Sequence, residues 1–82
     1  MDDTDAVDTL TRFGLTTYEA RVFLALQRLG EGTASDVAEV TDVPRSQVYG
    51  AADSLADRGL VDHRQTRPTV YEPVDVGTAE SR

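Results

Sequence analysis

The sequence predicts a winged helix-turn-helix domain, mainly α-helical with a small β-hairpin as the wing. Three observations lead to this prediction. Four segments carry apolar residues at helical spacing, the fourth opens with polar side chains after a proline, and an extended segment broken by a turn follows. Two short helices joined by a turn and followed by a hairpin are typical of this fold.

The length of 82 residues suits one domain, which we assign to residues 1–75, with residues 76–82 as a flexible tail. A chain this small buries only about 60% of its unfolded surface, so a partner subunit would add stability. The sequence has no apolar run of membrane-spanning length and no signal-peptide leader, so we expect a cytoplasmic protein with no membrane partner. It has no cysteine, which excludes disulfides and thiolate sites.

The charge composition is unusual for a nucleic-acid binder. The chain has fifteen acidic residues, ten of them aspartate, and its basic residues are eight arginines and no lysine, which gives a net charge of −7. An aspartate-rich, lysine-free surface is expected of a protein that works in molar salt, with salt cations at its acidic surface, so we expect a halophilic source. At about 1 M salt the Debye length is roughly 3 Å, and this net charge then hardly repels DNA beyond contact.

The charges are also unevenly distributed along the chain. Residues 1–43 hold three arginines and nine acidic residues, whereas residues 44–71 hold four arginines and three aspartates. The only segment with a positive balance is therefore the fourth helix with the hairpin after it. This asymmetry favours a DNA-binding face on an acidic body.

The first two helices are predicted from capping and periodicity. An aspartate-rich start favours a helix from about Thr4 to Phe13 with Val7, Leu10 and Phe13 as its apolar stripe. The acidic cluster is a weak candidate for a hard cation, because no calcium-loop glycine or glutamate accompanies it. A capping box of Thr16 and Glu19 starts the central core helix, whose apolar positions are Tyr18, Val22, Phe23, Leu26 and Leu29, and which Gly30 ends.

The helix-turn-helix follows. Thr33 is predicted to cap a short helix and to supply a minimal edge strand, with an inward face made of Val37, Ala38 and Val40. Pro44 is placed at the first position of the fourth helix, which Gly59 caps and whose buried side is Val48, Ala51, Ala52 and Leu55. The wing is predicted as strands at residues 60–65 and 70–74 around a turn at residues 66–69.

Candidate DNA contacts cluster at the start of the fourth helix. Arg45 suits guanine or a phosphate, Gln47 suits adenine or a phosphate, and Ser46 and Tyr49 suit the DNA backbone, with core packing as an equal alternative for Tyr49. Further candidates are Thr33 and Ser35 for a phosphate, and Arg64 and Arg67 on the wing for a phosphate or the minor groove, with solvated charges as the alternative. The full set is Thr33, Ser35, Pro44, Arg45, Ser46, Gln47, Tyr49, Arg64 and Arg67.

Catalysis and metal binding have little support in the sequence. His63 is the only histidine, and without cysteine or a second histidine it is expected to be a surface or wing-packing residue. No nucleophile with an ordered base and no phosphate-binding glycine loop is present. We therefore expect neither an enzyme nor a resident cofactor or metal.

A set of motifs spreads over residues 14–74: Gly14–Leu26, Val43–Tyr49, Arg58–Val61, Arg67-Pro68 and Tyr71. Together they resemble the N-terminal winged helix-turn-helix of the TrmB family of archaeal transcription regulators. The resemblance implies a dimeric, sequence-specific DNA-binding repressor or activator, commonly linked to sugar metabolism. Full-length members continue into a coiled-coil linker and an effector-binding domain, so sugar sensing is not expected of these 82 residues. Gly50 departs from the larger polar residue of relatives, so no contact is expected from it.

Two functions are compatible with these features. The first is a double-stranded DNA-binding transcription regulator that acts as a homodimer joined through its first helix, with the C-terminal segment as a further candidate for the interface. The alternative is a winged-helix module for protein contacts in a transcription or repair assembly. The polar start of the fourth helix favours the first function, and the net charge of −7 favours the second.

Overall fold

The computed structural model describes residues 3–74, which form four helices followed by a hairpin. The elements are α1 (Asp3–Arg12), α2 (Thr17–Leu29), α3 (Ala34–Val40), α4 (Arg45–Asp57), β1 (Val61–Arg64) and β2 (Val70–Pro73). The two strands are antiparallel, with His63 opposite Tyr71 and Arg64 opposite Val70. The predicted order of elements is confirmed, while the tail predicted at residues 76–82 lies outside the described part of the chain.

Helix α2 is the centre of the fold, and its two ends are fixed by local hydrogen bonds. At the start, Thr16 Oγ1 accepts a bond from the Glu19 N–H at 3.1 Å, and Glu19 Oε1 accepts one from the Thr16 N–H at 2.7 Å. At the end, Gly30 has a φ of 84°, and its N–H donates to the Leu26 carbonyl at 2.8 Å. The predicted capping box and glycine cap are therefore present.

One hydrophobic core joins α2 to the other elements. Helix α2 packs against α1, α3, α4 and β2. The core side chains come from every element except α1, which contributes the partly buried Leu10. They are Leu15, Val22, Ala25, Leu26, Ala34, Val37, Val43, Val48, Ala51, Ala52, Leu55, Val61 and Tyr71.

The wing is attached to the loop between α2 and α3 by backbone hydrogen bonds. The Gly32 N–H donates to the Tyr71 carbonyl at 2.9 Å, and the Tyr71 N–H donates to the Gly32 carbonyl at 2.8 Å. This pair is the minimal edge strand predicted around Gly32 and Thr33, reduced to a single bridge. It places the wing directly beside the start of α3.

Several sequence predictions need correction. Pro44 is the N-cap of α4 rather than its first residue, because its ψ of 143° is extended and its carbonyl accepts from the Gln47 and Val48 N–H groups. Val40 is 48% exposed rather than inward, since α3 ends at that residue and no further turn covers it. Phe13 lies beyond the end of α1 and is 76% exposed, so it does not continue the apolar stripe of the helix.

Two further positions on α2 are less buried than the periodicity predicted. Tyr18 is 41% exposed and Leu29 is 39% exposed. Both lie in terminal turns of the helix, where fewer neighbouring elements cover the side chains. The buried stripe of α2 is correspondingly shorter than the predicted one.

The buried carboxylate of Glu19 joins α2 to the end of α4. Its Oε1 lies 3.7 Å from Arg58 Nη2, and the same Nη2 donates to the Gly14 carbonyl at 3.1 Å. Burial raises the pKa of Glu19, but hydrogen bonds with Ser54 and Thr16 and the charge of Arg58 outweigh it, so the pKa is lowered overall. The ionised form therefore stabilises the fold.

We expect Glu19→Gln to lower the free energy of unfolding by about 1 kcal/mol at pH 7, because glutamine keeps the cap but loses the charge-assisted bonds. The folded-state pKa lies below the ordinary value of 4.5, so this contribution is present above about pH 4.5 and is lost as the pH falls through the folded pKa. Chemical denaturation between pH 2.5 and 7 measures it. The control is Glu39→Gln on the exposed side of α3, and an undiminished difference at the lowest pH would contradict the expectation.

Candidate nucleic-acid interface

The first turn of α4 presents polar side chains to solvent. Arg45, Ser46 and Gln47 are exposed, and Tyr49 is 44% exposed. The opposite face of the helix is anchored, because Val48, Ala51, Ala52 and Leu55 are all buried in the core. Such a helix cannot rotate without exposing apolar surface, so the polar side chains at its start have a fixed direction.

Arg45 connects the two helices of the helix-turn-helix. Its Nη1 donates a hydrogen bond to Ser35 Oγ at 3.2 Å. Ser35 lies in the first turn of α3, so two of the predicted DNA-contact residues from different helices are brought together. A guanidinium has five N–H donors, and this bond uses one of them. Arg45 therefore keeps donors for a base edge or a phosphate.

Thr33 is committed to capping α3. Its Oγ1 accepts from the Asp36 N–H at 3.2 Å, and Asp36 Oδ2 accepts from the Thr33 N–H at 3.0 Å. The hydroxyl hydrogen of Thr33 remains as a donor. This arrangement is compatible with the phosphate contact expected from the sequence.

The two arginines of the wing differ in their surroundings. Arg67 lies in the exposed turn between β1 and β2, where the structure shows no carboxylate against it in the described part of the chain. Arg64 at the end of β1 has two carboxylate partners: its Nη2 lies 2.7 Å from Glu31 Oε1 and 3.1 Å from Glu72 Oε2. The hydrogen bond to Glu72 and the charge of Glu31 raise the pKa of Arg64.

The wing carries an aromatic pair, Tyr71 and His63. Tyr71 on β2 is buried, and the centroid of its ring lies 6.4 Å from that of the His63 ring, with an angle of 23° between the two ring planes. Burial, followed by the charges of Asp53 and Tyr49, raises the pKa of the Tyr71 phenol. Tyr49 is thus close to the junction of α4 and the wing, and His63 packs on the wing as expected.

Three acidic residues near this surface were not predicted from the sequence. Glu31 is 33 positions from its partner Arg64, and no local pattern indicates such a contact. Glu72 could have been found from the hairpin, because it lies diagonally across the strands from Arg64 on the same face. Asp53 follows Tyr49 by one turn of α4 and could have been placed at the wing junction from that spacing.

The described residues offer neither a metal-binding cluster nor a membrane-spanning helix. Between residues 3 and 74, no three acidic, histidine or cysteine side chains are grouped so that they could hold a metal ion. None of the helices in that range has the length and apolar character needed to cross a membrane.

The arrangement defines a class of protein. A helix-turn-helix whose second helix begins with exposed polar side chains, followed by a hairpin bridged to the loop before the first of the two helices, is a winged helix-turn-helix. Similar solved structures support this class. The structure of TrmBL2, described as an archaeal chromatin protein with a novel mode of DNA binding, has a TM-score of 0.87 and 28% identity over 98% of this chain and 32% of its own. Bordetella bronchiseptica BpsR, whose DNA binding is regulated by 6-hydroxynicotinic acid, has a TM-score of 0.71 and 25% identity over 82% of this chain and 50% of its own.

Sequence comparison identifies the family. The chain is 36% identical over 75 residues to the sugar-sensing transcriptional regulator TrmBL1 of Pyrococcus furiosus, covering 92% of this chain and 22% of that protein. The family described as sugar-specific transcriptional regulator TrmB matches residues 10–77. The chain belongs to the TrmB family. It spans about a fifth of the length of TrmBL1, and membership in a family of regulators confirms the prediction that it is not an enzyme.

Proposed function

We propose that the chain binds double-stranded DNA sequence-specifically as a homodimer and regulates transcription in the cytoplasm at high salt. The observation that carries this proposal is the exposed first turn of α4, where Arg45, Ser46 and Gln47 project from a helix whose other face is buried. Membership in the TrmB family supports it. The DNA-binding helix of a helix-turn-helix contacts base edges with its N-terminal residues, which is where these side chains lie.

The proposed roles follow from the geometry of each side chain. Arg45 reads guanine O6 and N7 or grips a phosphate, while Gln47 pairs with adenine or a phosphate. Ser46 and Tyr49 bind the DNA backbone, and Pro44 fixes the entry of the chain into α4. Ser35 and Thr33, at the start of α3, approach the phosphate next to the Arg45 contact, and Arg67 enters the minor groove or binds a phosphate from the wing.

The alternative is a module for protein contacts. The net charge of −7 and the exposed Phe13 favour it, because exposed aromatic side chains are common at protein interfaces. A protein partner for the α4 surface itself has less support, since that surface is polar and carries arginine. The substitutions below distinguish the two functions.

The proposed homodimer uses the surface around α1. Phe13 at the end of α1 is 76% exposed, and α1 borders an open groove of about 440 Å³. Residues from α1, α2, the end of α3 and the turn after it line this groove: Val7, Asp8, Thr17, Arg21, Val40, Thr41 and Asp42. A second copy on this side would cover exposed apolar groups and leave the start of α4 accessible.

Arg45→Ala and Arg67→Ala are expected to separate sequence recognition from general affinity. Arg45→Ala should cost about 1–3 kcal/mol on the preferred site and little on random DNA, whereas Arg67→Ala should weaken both about equally. Fluorescence anisotropy with both duplexes at 1–3 M KCl measures the difference. Both side chains are exposed, so thermal stability should change by under about 0.5 kcal/mol. Unchanged DNA affinity in two folded variants would favour the protein-contact alternative.

The salt dependence of DNA binding should be shallow. Only Arg45 and Arg67 among the proposed contacts are cations without a carboxylate partner in the described residues, so a dimer offers about four. At about 0.9 ions per phosphate, the slope of log affinity against log salt should be no steeper than about −4. Cations taken up by nearby carboxylates would make it shallower or even positive. Titrations at several KCl concentrations measure the slope, and a value near −6 or steeper would exclude this account.

The proposed homodimer can be tested by measuring the mass of the protein in solution. Light scattering at high salt and high micromolar concentration should give twice the mass of the chain, and Phe13→Glu should shift the equilibrium toward monomer. Phe13 is exposed within one copy, so the substitution should leave the fold of that copy intact. Leu29→Glu, which introduces the same charge at an exposed apolar residue in the last turn of α2, is the matched control. A strictly monomeric wild-type protein under these conditions would rule out the proposed dimer.

A further inference from the structure

Arg64 joins the two strands of the wing to the loop between α2 and α3. It lies at the end of β1, and its Nη2 contacts Glu72 on β2 at 3.1 Å and Glu31 in the loop between α2 and α3 at 2.7 Å. The contact to Glu72 lies within the hairpin. The contact to Glu31 connects the hairpin to the helical part of the protein.

The loop contacted by Arg64 also leads into the helix-turn-helix. Glu31 is followed by Gly32, which exchanges two backbone hydrogen bonds with Tyr71, and by Thr33, the N-cap of α3. The side-chain ion pair and the backbone bridge therefore fasten the same two segments. Because Glu31 and Gly32 are adjacent, the ion pair prevents the wing from rotating about the Gly32–Tyr71 bridge, as it could if the bridge were its sole attachment there.

We infer that Arg64 is a positioning residue that holds the wing against the loop before α3, rather than a group that binds DNA. This inference rests on the proposed DNA-binding function. Both carboxylates contact Nη2, so a phosphate that used the remaining Nη1 and Nε donors of Arg64 would lie beside two negative charges. The cluster of one arginine and two glutamates carries a net charge of −1, which disfavours an anion at this point.

The contact distances fit a role at high salt. They are about equal to the Debye length of roughly 3 Å at 1 M salt, so these attractions persist at contact when longer-range ones are screened. Arg21 and Asp42, at 3.9 Å, form a looser pair. The Arg64 side chain is half exposed, so the expected effect is on the placement of the wing more than on the stability of the whole fold.

The test exploits the opposite consequences of releasing Arg64. In the variant Glu31→Gln with Glu72→Gln, a DNA-contacting arginine would be freed, and affinity for a selected duplex would rise. A positioning arginine predicts instead a two- to tenfold loss, similar to that of Arg64→Ala. The control is Asp62→Asn with Glu39→Gln, which removes two negative charges from exposed positions outside the cluster. Tighter binding of the first variant, beyond that of the control, would overturn the inference.

An exchange variant provides a rescue. Arg64→Glu combined with Glu31→Arg restores one arginine and two carboxylates to the cluster, with the cation moved to the loop. Positioning predicts recovery of most of the affinity lost in Arg64→Ala. Recovery would not occur if the cation itself had to act from the wing. Failure of this rescue in a folded protein would count against positioning.

A second measurement does not depend on DNA. Amide hydrogen exchange at Gly32 and Tyr71, the two bridge residues, should be two- to tenfold faster in Arg64→Ala, with the α2 and α4 amides unchanged. Unchanged exchange at the bridge would overturn the inference even if the protein binds DNA. Faster exchange in a protein that binds no duplex would instead support the positioning role while rejecting the proposed function.

Discussion

The packing of α4 on α2 is the contact on which the rest of the structure depends. Val48, Ala52 and Leu55 of α4 and Val22 and Leu26 of α2 are completely buried, and the small alanine lets the two helices approach closely. This contact fixes the rotation of α4 about its axis. The direction of the polar first turn of α4 follows from it, and the wing is built on the same core through Val61 and Tyr71. The orientation of the surface proposed to bind DNA is thus fixed by buried side chains that are not themselves part of that surface.

Polar interactions add further contacts between the helices that the core holds together. The Glu19 carboxylate holds the start of α2 and the end of α4 together through Arg58, and Arg45 joins α4 to α3 through Ser35. Each of these contacts uses an arginine, in a chain that has only eight. A cation paired with a carboxylate, as Arg58 is with Glu19, is less available to a phosphate. An acidic protein of this fold therefore has few charges left for general attraction to DNA.

Local signals were sufficient to predict most of the fold. The capping box at Thr16, the glycine at position 30 and the apolar spacing of α4 each depend on residues within one or two turns, and all are confirmed. Positions at the ends of helices were predicted less well, because exposure there depends on which element covers the last turn, as at Val40. The partners of Arg64 needed tertiary information, since Glu31 comes close only when the wing folds back on the α2–α3 loop. Of the proposed DNA contacts, sequence indicated the residue types, and the structure added that Arg45 and Ser35 are adjacent.

The distribution of free and paired arginines bears on how such a protein could discriminate between DNA sites. Long-range attraction supplies most nonspecific affinity, and it is weak both for an acidic protein and at molar salt. Hydrogen bonds at contact distance are less affected by screening, and those to base edges carry the sequence information. An interface with few unpaired cations and several hydrogen-bonding side chains, such as Ser46 and Gln47, shifts the balance from nonspecific toward specific binding. Under this proposal, acidity and sequence recognition are compatible, because Arg21, Arg58 and Arg64, which would otherwise attract any duplex, are already paired with carboxylates.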